Sequence, residues 1–507
     1  VEWMLPALLR TFTSTDQAVS FEPTRQEDVK GSEQATDACN YIFYKQNNGF
    51  LTLYTAFKDA LLVKNAAVMW RKETKRTKSV IPVSRATVED ITLALEEAGE
   101  DAEVESATPL PPEPAQPVMG PQGPVIDPMT GQPVMQPPGP QLFNARISAI
   151  EEKTTIKVEA FPPEDLLIKR DWTSPLLQDC PYVCRNMPIT LSELHEMGFT
   201  DVAPEDLSAS DDAGMSADAS FRMSRAGTTD DATLTDNNQL AGEDESQTQG
   251  FLRIEFVLVD FDGDGISERR CIYRLKNKIL KNEEVSHVPI ATASPILIQH
   301  RWDGMSVAET VADLQLLKTE LTRQMVDSGR LALNPRTKVM TDANWSPMAN
   351  IDDLLDSRAG GIIRMKGADA VQEMITPWVG AQMFPMMEYI DGMREQRTGV
   401  SRASQGMSAD VLRQDRTATE VMQTANAAAA RIELIARIFA ETLMKPIFQG
   451  VLKLLTDGGM DKLAFRLRNE FVEYDPNEWR DSYDMTINVG LGTGDKQQQA
   501  GMLQMIF

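Results

Sequence analysis

Histidine and cysteine are scarce in this 507-residue chain, which has three of the first (His195, His287, His300) and four of the second (Cys39, Cys180, Cys184, Cys271). So few histidines leave little room for imidazole acid–base or zinc chemistry. Four cysteines without a C-x-x-C pair build no disulfide framework, which points to a reducing compartment. No run of roughly 18 or more apolar residues occurs, so no helix is expected to span a membrane. A signal peptide is missing as well, and Val1 rather than Met opens the chain, so the true N-terminus is expected to be absent. Basic charge is in deficit, with 50 Lys+Arg against 75 Asp+Glu and a net charge of −25. Gripping DNA phosphates over a large surface needs clustered cations, so tight binding of that kind is not expected. G-x-S-x-G, H-E-x-x-H and Cys/His arrangements are also missing, and no active site is legible.

What remains is ordinary in bulk: 42% hydrophobic and 25% charged residues, enough for a sizeable core in roughly three domains. The first third reads as mixed α/β. A short apolar segment over residues 1–12 is interrupted by Pro6, and helical spacing runs over 37–45 and 50–64 (Leu53, Phe57, Leu61 and Leu62). Residues 66–71 turn β-like, and a short helix follows at 88–97. Composition then breaks. Residues 109–140 hold 12 of the 29 prolines, with QPVMxPxGP repeated at Gln116–Pro124 and Gln132–Pro140. Such a segment joins no sheet interior and continues no helix. It reads as a surface loop or polyproline arm, or else as a ligand for an aromatic groove. Residues 205–245 carry 11 acidic and two basic residues with almost no large apolar ones, the composition of an exposed flexible insertion.

Between these insertions β-alternation returns at 156–160 and again over 251–275, which reads as a hairpin. From Gly304 onward the pattern turns to long helices. Val307, Val311, Leu314, Leu317, Leu321 and Met325 form one stripe from about 306 to 333, closed by Asn334-Pro335. Three β-flavoured stretches follow, at 336–340, 361–365 and 371–375, and then a helix over 382–396. Residues 399–416 look like a polar loop. Thr417, with Glu420 three residues on, forms a capping box that opens a helix of about 40 residues, ~60 Å long, to Gly458-Gly459. Pro446 is expected to kink it.

The sharpest local motif is Asp260-Phe261-Asp262-Gly263-Asp264-Gly265. Alternate carboxylates with glycine suit a hard dication such as Ca²⁺ or Mg²⁺. The twelfth position is Cys271 rather than Glu and the flanks read as strands, so this is no EF-hand. It is a tight acidic turn or a weak cation loop using Asp260, Asp262 and Asp264. Gly490–Lys496 misses the phosphate-loop spacing, and its Thr493 and Asp495 read as helix caps. His195 reads as a surface residue of a short helix. Cys180 and Cys184 are i,i+4 neighbours or simply buried. Arg394, Arg397, Arg402, Arg413 and Arg416 gather around the 399–416 loop, which is a solvated connector or a mobile element touching nucleic acid transiently.

Taken together, EWMLPAL at Glu2–Leu8, FPPEDLLIKRD at Phe161–Asp171, DFDGDGISERR at Asp260–Arg270 and the run at Gly304–Asp327 resemble the portal proteins of tailed bacteriophages, specifically the short-tailed P22 type. RTGVSRASQG at Arg397–Gly406, TATEV at Thr417–Val421 and VGLGTGD at Val489–Asp495 complete the set. The resemblance implies an α+β portal-type subunit in a twelve-membered ring at one capsid vertex. A wing would span 1–303, with insertions at 106–142 and 204–250. Stem helices would lie at 304–333 and 381–398 around a clip at 334–380. A channel or tunnel loop at 399–416 would present Arg402, Gln405 and Arg413 to double-stranded DNA. The wing spine and its return would run over 417–489, with a crown starting at 490–507. Arg336, Lys338 and Arg364 would serve clip docking. Expected partners are the terminase large subunit, head-to-tail adaptor or tail proteins, the major capsid protein and the scaffolding protein, in the virion and, during assembly, the host cytoplasm. No cofactor is required. Twelve copies carry 12 × −25 = −300 formal charges, and a negative lumen lets DNA slide rather than stick. Two other classes stay open: another structural ring of the head–tail connector, and a metal-dependent hydrolase built on the three aspartates.

Overall fold

The computed structural model describes residues 1–13, 17–23, 25, 28–99, 102–111, 119–120, 123–124, 141–207, 244–276, 278–356, 358, 360–400, 431–457, 463–467, 470–474, 479 and 483–487. Their main core joins distant stretches of chain. Helix Leu5–Thr13 buries Leu5, Leu8, Leu9 and Phe12, one face at helical spacing. Pro6 does not interrupt it. It sits in the first turn, where the missing N–H has no intrahelical partner to lose. Helix Val29–Tyr41 begins earlier than the spacing predicts and runs on through a π-turn, Ile42–Gln46. Helix Gly49–Val63 buries Leu53, Phe57 and Leu61 as expected.

Against these lie helical residues 431–456. Ile435, Phe439, Leu443, Ile447 and Val451 are their buried face, the stripe visible in the sequence. Phe439 stacks on Phe57 at 4.8 Å and Phe448 meets Phe43 at 5.1 Å. The expected feature at Pro446 takes a particular form, a π-turn over Ala440–Met444 directly before it. Proline at 446 cannot donate to the carbonyl four residues back, and the wider turn makes room for its ring. Strand Val19–Glu22 pairs antiparallel with Asp484–Ile487, joining the far ends of the chain. The capping box at Thr417, the chain turn at Gly458-Gly459 and the Gly490–Lys496 caps lie outside the described residues.

Two antiparallel sheets extend this core. One has the order Ile290–Ala293, Ala66–Ala86, Phe143–Phe161, Glu103–Pro109. The other has the order Lys278–Glu284, Glu268–Leu275, Gln249–Val259, Tyr182–Thr190, Leu166–Ile168. Residues 66–70 are buried on both faces, and the period of two splits them cleanly. Val68 and Trp70 enter the main core, whereas Ala67 and Met69 enter a second core with Val183, Ile254 and Phe256. The strand does not stop at residue 71. It continues to Ala86 because its partner strand offers a ladder along the whole length.

Where that strand leaves the cores, charge replaces carbon. Glu159 accepts from Arg71 Nη1 at 2.9 Å and from Arg185 Nη1 at 2.6 Å, while Arg71 Nη2 reaches Glu73 at 3.0 Å. Lys157 approaches both carboxylates, and the Arg185 guanidinium lies 4.4 Å over the Phe161 ring. Burial alone raises the Glu159 carboxyl, but the adjacent Arg71 and Arg185 outweigh it and bring it down to about 2.

Two of the long helices predicted from the second half are present, and residues 431–456 of the third are helical. Helix Glu309–Leu333 packs antiparallel to helix Gly380–Thr398, with the two-stranded ribbon Arg336–Val339 and Val371–Met374 between them. Residues 361–365 form no strand, contrary to the β-flavoured reading. Their backbone makes an isolated bridge of Met365 with Ala349, while Gly361 N–H turns back to Arg358 O and Arg364 N–H is taken by the Asp353 carboxylate, so no ladder forms. No described helix is long and apolar enough to cross a membrane.

Candidate functional site

The helix pair is held by charge more than by carbon. Ser306 and Glu309 exchange reciprocal hydrogen bonds of 3.0 Å that fix the start of the first helix. Lys318 Nζ donates to both Asp391 oxygens at 2.7 and 2.8 Å, and Arg397 donates to both Asp313 oxygens at 2.8 and 2.7 Å. Those hydrogen bonds hold the exposed Asp313 carboxyl below its ordinary value. Between the helices only Leu314, Leu321 and Ile390 are buried. Leu316, Leu333, Phe384 and Tyr389 face outward, and so does Leu317 of the expected stripe, while Leu314 and Leu321 are buried as expected.

The connecting segment carries this further. Trp345 is 86% exposed, Ile362 85% and Ile375 84%. Isolated surface apolar residues are normal, but a concentration of this kind marks a contact surface. Arg336 and Lys338 stand exposed on the ribbon, opposite Met374 and Gln372. Arg364 differs, because its guanidinium binds Asp353 through Nε at 2.8 Å and Nη2 at 2.9 Å. That pairing holds the Asp353 carboxyl at about 2. Arg336 and Lys338 therefore share one ribbon edge, and Arg364 is tied to a separate short helix, Ile351–Leu355.

A family comparison decides what this arrangement belongs to. The model of the phage SU10 portal protein matches residues 1–507. The chain belongs to that portal family. The match supports a tailed-phage portal protein and gives no support to the P22 type in particular. No curated protein matches the chain. Membership in this portal family makes the subunit a structural component of a phage capsid.

Arg402, Gln405 and Arg413 lie outside the described residues, as does most of each insertion. The acidic turn is described. It caps the hairpin of Gln249–Val259 and Glu268–Leu275, and its three exposed carboxylates each offer an oxygen within 4.8 Å of the others. Asp260 accepts from Gly263 N at 2.7 Å and Gly265 N at 3.0 Å, and Asp264 accepts from Ile266 N at 2.7 Å. Gly263 and Gly265 have φ of +82° and +88°, which glycine alone adopts without strain. The spacing suits one hard cation, because carboxylate oxygens keep further lone pairs after accepting backbone donors. The turn's own hydrogen bonds also explain the same geometry without an ion. His195 is exposed on helix Leu191–Glu196, as expected. The four cysteines are buried free thiols, and Cys180 and Cys184 lie on a loop and a strand rather than one helix.

Sequence reading missed the exposed apolar side chains of 334–380, because an exposed and a buried isoleucine look alike in a string. It also missed Ser306 and Glu309 as a cap, although S-x-x-E was there to be read.

Proposed function

We propose that the subunit closes into a ring at one capsid vertex that passes double-stranded DNA during packaging and ejection. The observation that carries this is the uncovered apolar surface of the helix pair and of residues 334–380, in a member of a portal family. A two-helix unit with three buried apolar residues lacks a self-sufficient core, and neighbouring copies supply the missing cover. Twelve copies are the expected number. The exposed 334–380 segment, with Arg336 and Lys338, is the proposed docking face for a terminase motor and later for head-to-tail adaptor or tail proteins. Residues 399–416, with Arg402, Gln405 and Arg413, are the proposed channel loop. No step of this role calls for catalysis by the subunit, and work on DNA comes from the docked motor.

Native mass spectrometry with negative-stain imaging of the same peak tests the reading. The expected result is a mass near twelve copies of the 56.3 kDa chain and rings with a central hole. A compact dimer or trimer without a hole would overturn it.

We further propose that the acidic turn holds Ca²⁺ or Mg²⁺ weakly. Asp262→Ala is expected to lower the thermal midpoint in the presence of the ion and to leave it unchanged in chelator. An equal loss in both conditions removes the cation.

A further inference from the structure

In a chain of net charge −25, the ribbon made by Ala66–Ala86 and Phe143–Phe161 is an exception. Its middle stretch reads Arg71-Lys72-Glu73-Thr74-Lys75-Arg76 on one strand, and the other carries Lys153 and Lys157 among Glu151, Glu152 and Glu159, so cations are in slight excess. The register places Lys75 directly opposite Lys153, and both are exposed. Like charges opposite each other on one face of an antiparallel pair are unfavourable unless an anionic group lies against them. Lys75 has a 4.0 Å contact with Glu196 and feels Glu73 two residues away, whereas Lys153 opposite it adds a second positive charge.

Lys153 and Lys157 also form one wall of a cleft of about 680 Å³. Its opposite wall is the first turn of helix Gly49–Val63, where Asn48 precedes the helix without a side-chain cap bond. Leu51, 60% exposed, adds an apolar spot on that wall. Glu73 and Glu159 line it too and pair with Lys157 at 3.4 and 3.3 Å, so among the described residues the ammonium it leaves unpaired is that of Lys153, with a helix's positive end and one apolar contact beside it.

The acidic turn has the complementary surface. Three exposed carboxylates converge there, flanked by exposed Phe261 and Ile266. The sheet keeps the turn away from the same copy's lysines. Strand Tyr182–Thr190 runs antiparallel to Gln249–Val259, with Thr190 beside Gln249. Thr190 leads into helix Leu191–Glu196, whose Glu196 meets Lys75. The turn follows Val259 and so leaves from the other end of an eleven-residue strand, roughly 35 Å away. The lysine pair sits on one sheet and the turn at the far end of the other, so these opposite charges cannot meet within a copy. They meet head to tail between copies, which is the kind of contact that closes a ring.

We propose that the Asp260–Asp264 turn of one copy docks against the Lys75–Lys153 pair of the next. This rests on the ring reading and specifies one of its interfaces.

Charge exchange between two variants tests it. One variant carries Lys75→Glu and Lys153→Glu. The other carries Asp262→Lys and Asp264→Lys, sparing Asp260, which holds two backbone N–H groups. Each alone places like charges at every interface, so the concentration for half-assembly should rise about ten-fold or more. A 1:1 mixture alternates the two and restores an opposite-charge pair at every interface, so rings should return near the wild-type concentration. Thermal midpoints of the unassembled variants report whether each still folds. Lys75→Gln with Lys153→Gln serves where the reversed pair does not, with a smaller rise expected. Wild-type rings alongside variants that close equally well alone, or a mixture that fails to recover, overturn this inference and leave the ring standing. A wild-type chain that forms no ring overturns both.

Discussion

Replacing Glu159 by glutamine keeps the shape of the side chain and removes its charge. Two guanidinium groups, Arg71 and Arg185, with side chains 5% and 7% exposed, then face each other without the carboxylate they share. A buried pair broken on one side costs about 3–5 kcal/mol, mostly the penalty of the charge left behind. The carboxyl itself gives a similar figure. It sits at about 2 against an ordinary 4.5, and each unit corresponds to about 1.4 kcal/mol, so its interactions contribute on the order of 3 kcal/mol. Because the folded value is depressed, this contribution is full above pH about 4.5 and is lost as pH falls toward 2. Urea unfolding of Glu159→Gln at pH 7 should therefore show a loss of about 3 kcal/mol that shrinks to nothing near pH 2. Glu152→Gln is the control. Its partner Arg76 is 2.7 Å away but both side chains are about half exposed, and such pairs contribute about 0–1 kcal/mol. A Glu159→Gln loss no larger than the control's, or one independent of pH, would refute the reasoning.

Two further perturbations probe neighbouring packing. A Cβ at residue 450 would collide with Nε1 of the buried Trp70 indole, so Gly450→Ala should cost about 1–3 kcal/mol by overpacking, read as a lower thermal midpoint. His287 stacks on Trp70 at 6.2 Å. Burial first, then Lys453 and Arg269, bring its imidazole down to about 4 despite Asp457. The folded state thus resists protonation, and stability should fall as pH drops from about 6.5 to about 4, at up to about 1.4 kcal/mol per unit. In His287→Gln that slope should vanish from urea titrations over the same range.

What could be read in the string was what is local. Helix stripes at 50–64 and 306–333 and the hairpin over 251–275 each announce themselves within a dozen residues, and so did Asp260, Asp262 and Asp264. The strand after residue 71 did not. Arg71 to Arg76 shows no apolar alternation, and the segment is a strand only because residues 151–157 ladder with it from the other side of the proline-rich insertion. The same distance hid the Arg71–Glu159–Arg185 network, whose members come from three strands. Pro446 was legible as a disturbance, but whether a helix answers with a bend or a π-turn depends on what packs against it. The apolar residues of 361–365 suggested a strand, and exposure on the surface is what they show instead. The portal resemblance rested on short motifs spread over the whole chain, which is why a family-wide match could test it while the subtype found no support.

The shared core of the two chain ends sets a schedule for synthesis. Helix Leu5–Thr13 buries its face in a core completed by residues 435–455, and Val19–Glu22 waits for Asp484–Ile487. At about 5–20 residues per second the ribosome needs tens of seconds between the two. For that time the first helices have only each other and residues 66–70 and 156–158 as cover, and the remaining contacts close over a very long loop, which makes folding slow. A chain cut short before residue 435 leaves this core incomplete, although the second core, made within residues 67–290, is already present. Interrupted translation therefore yields a partly exposed core open to proteolysis, which biases the pool of subunits offered to assembly toward complete ones.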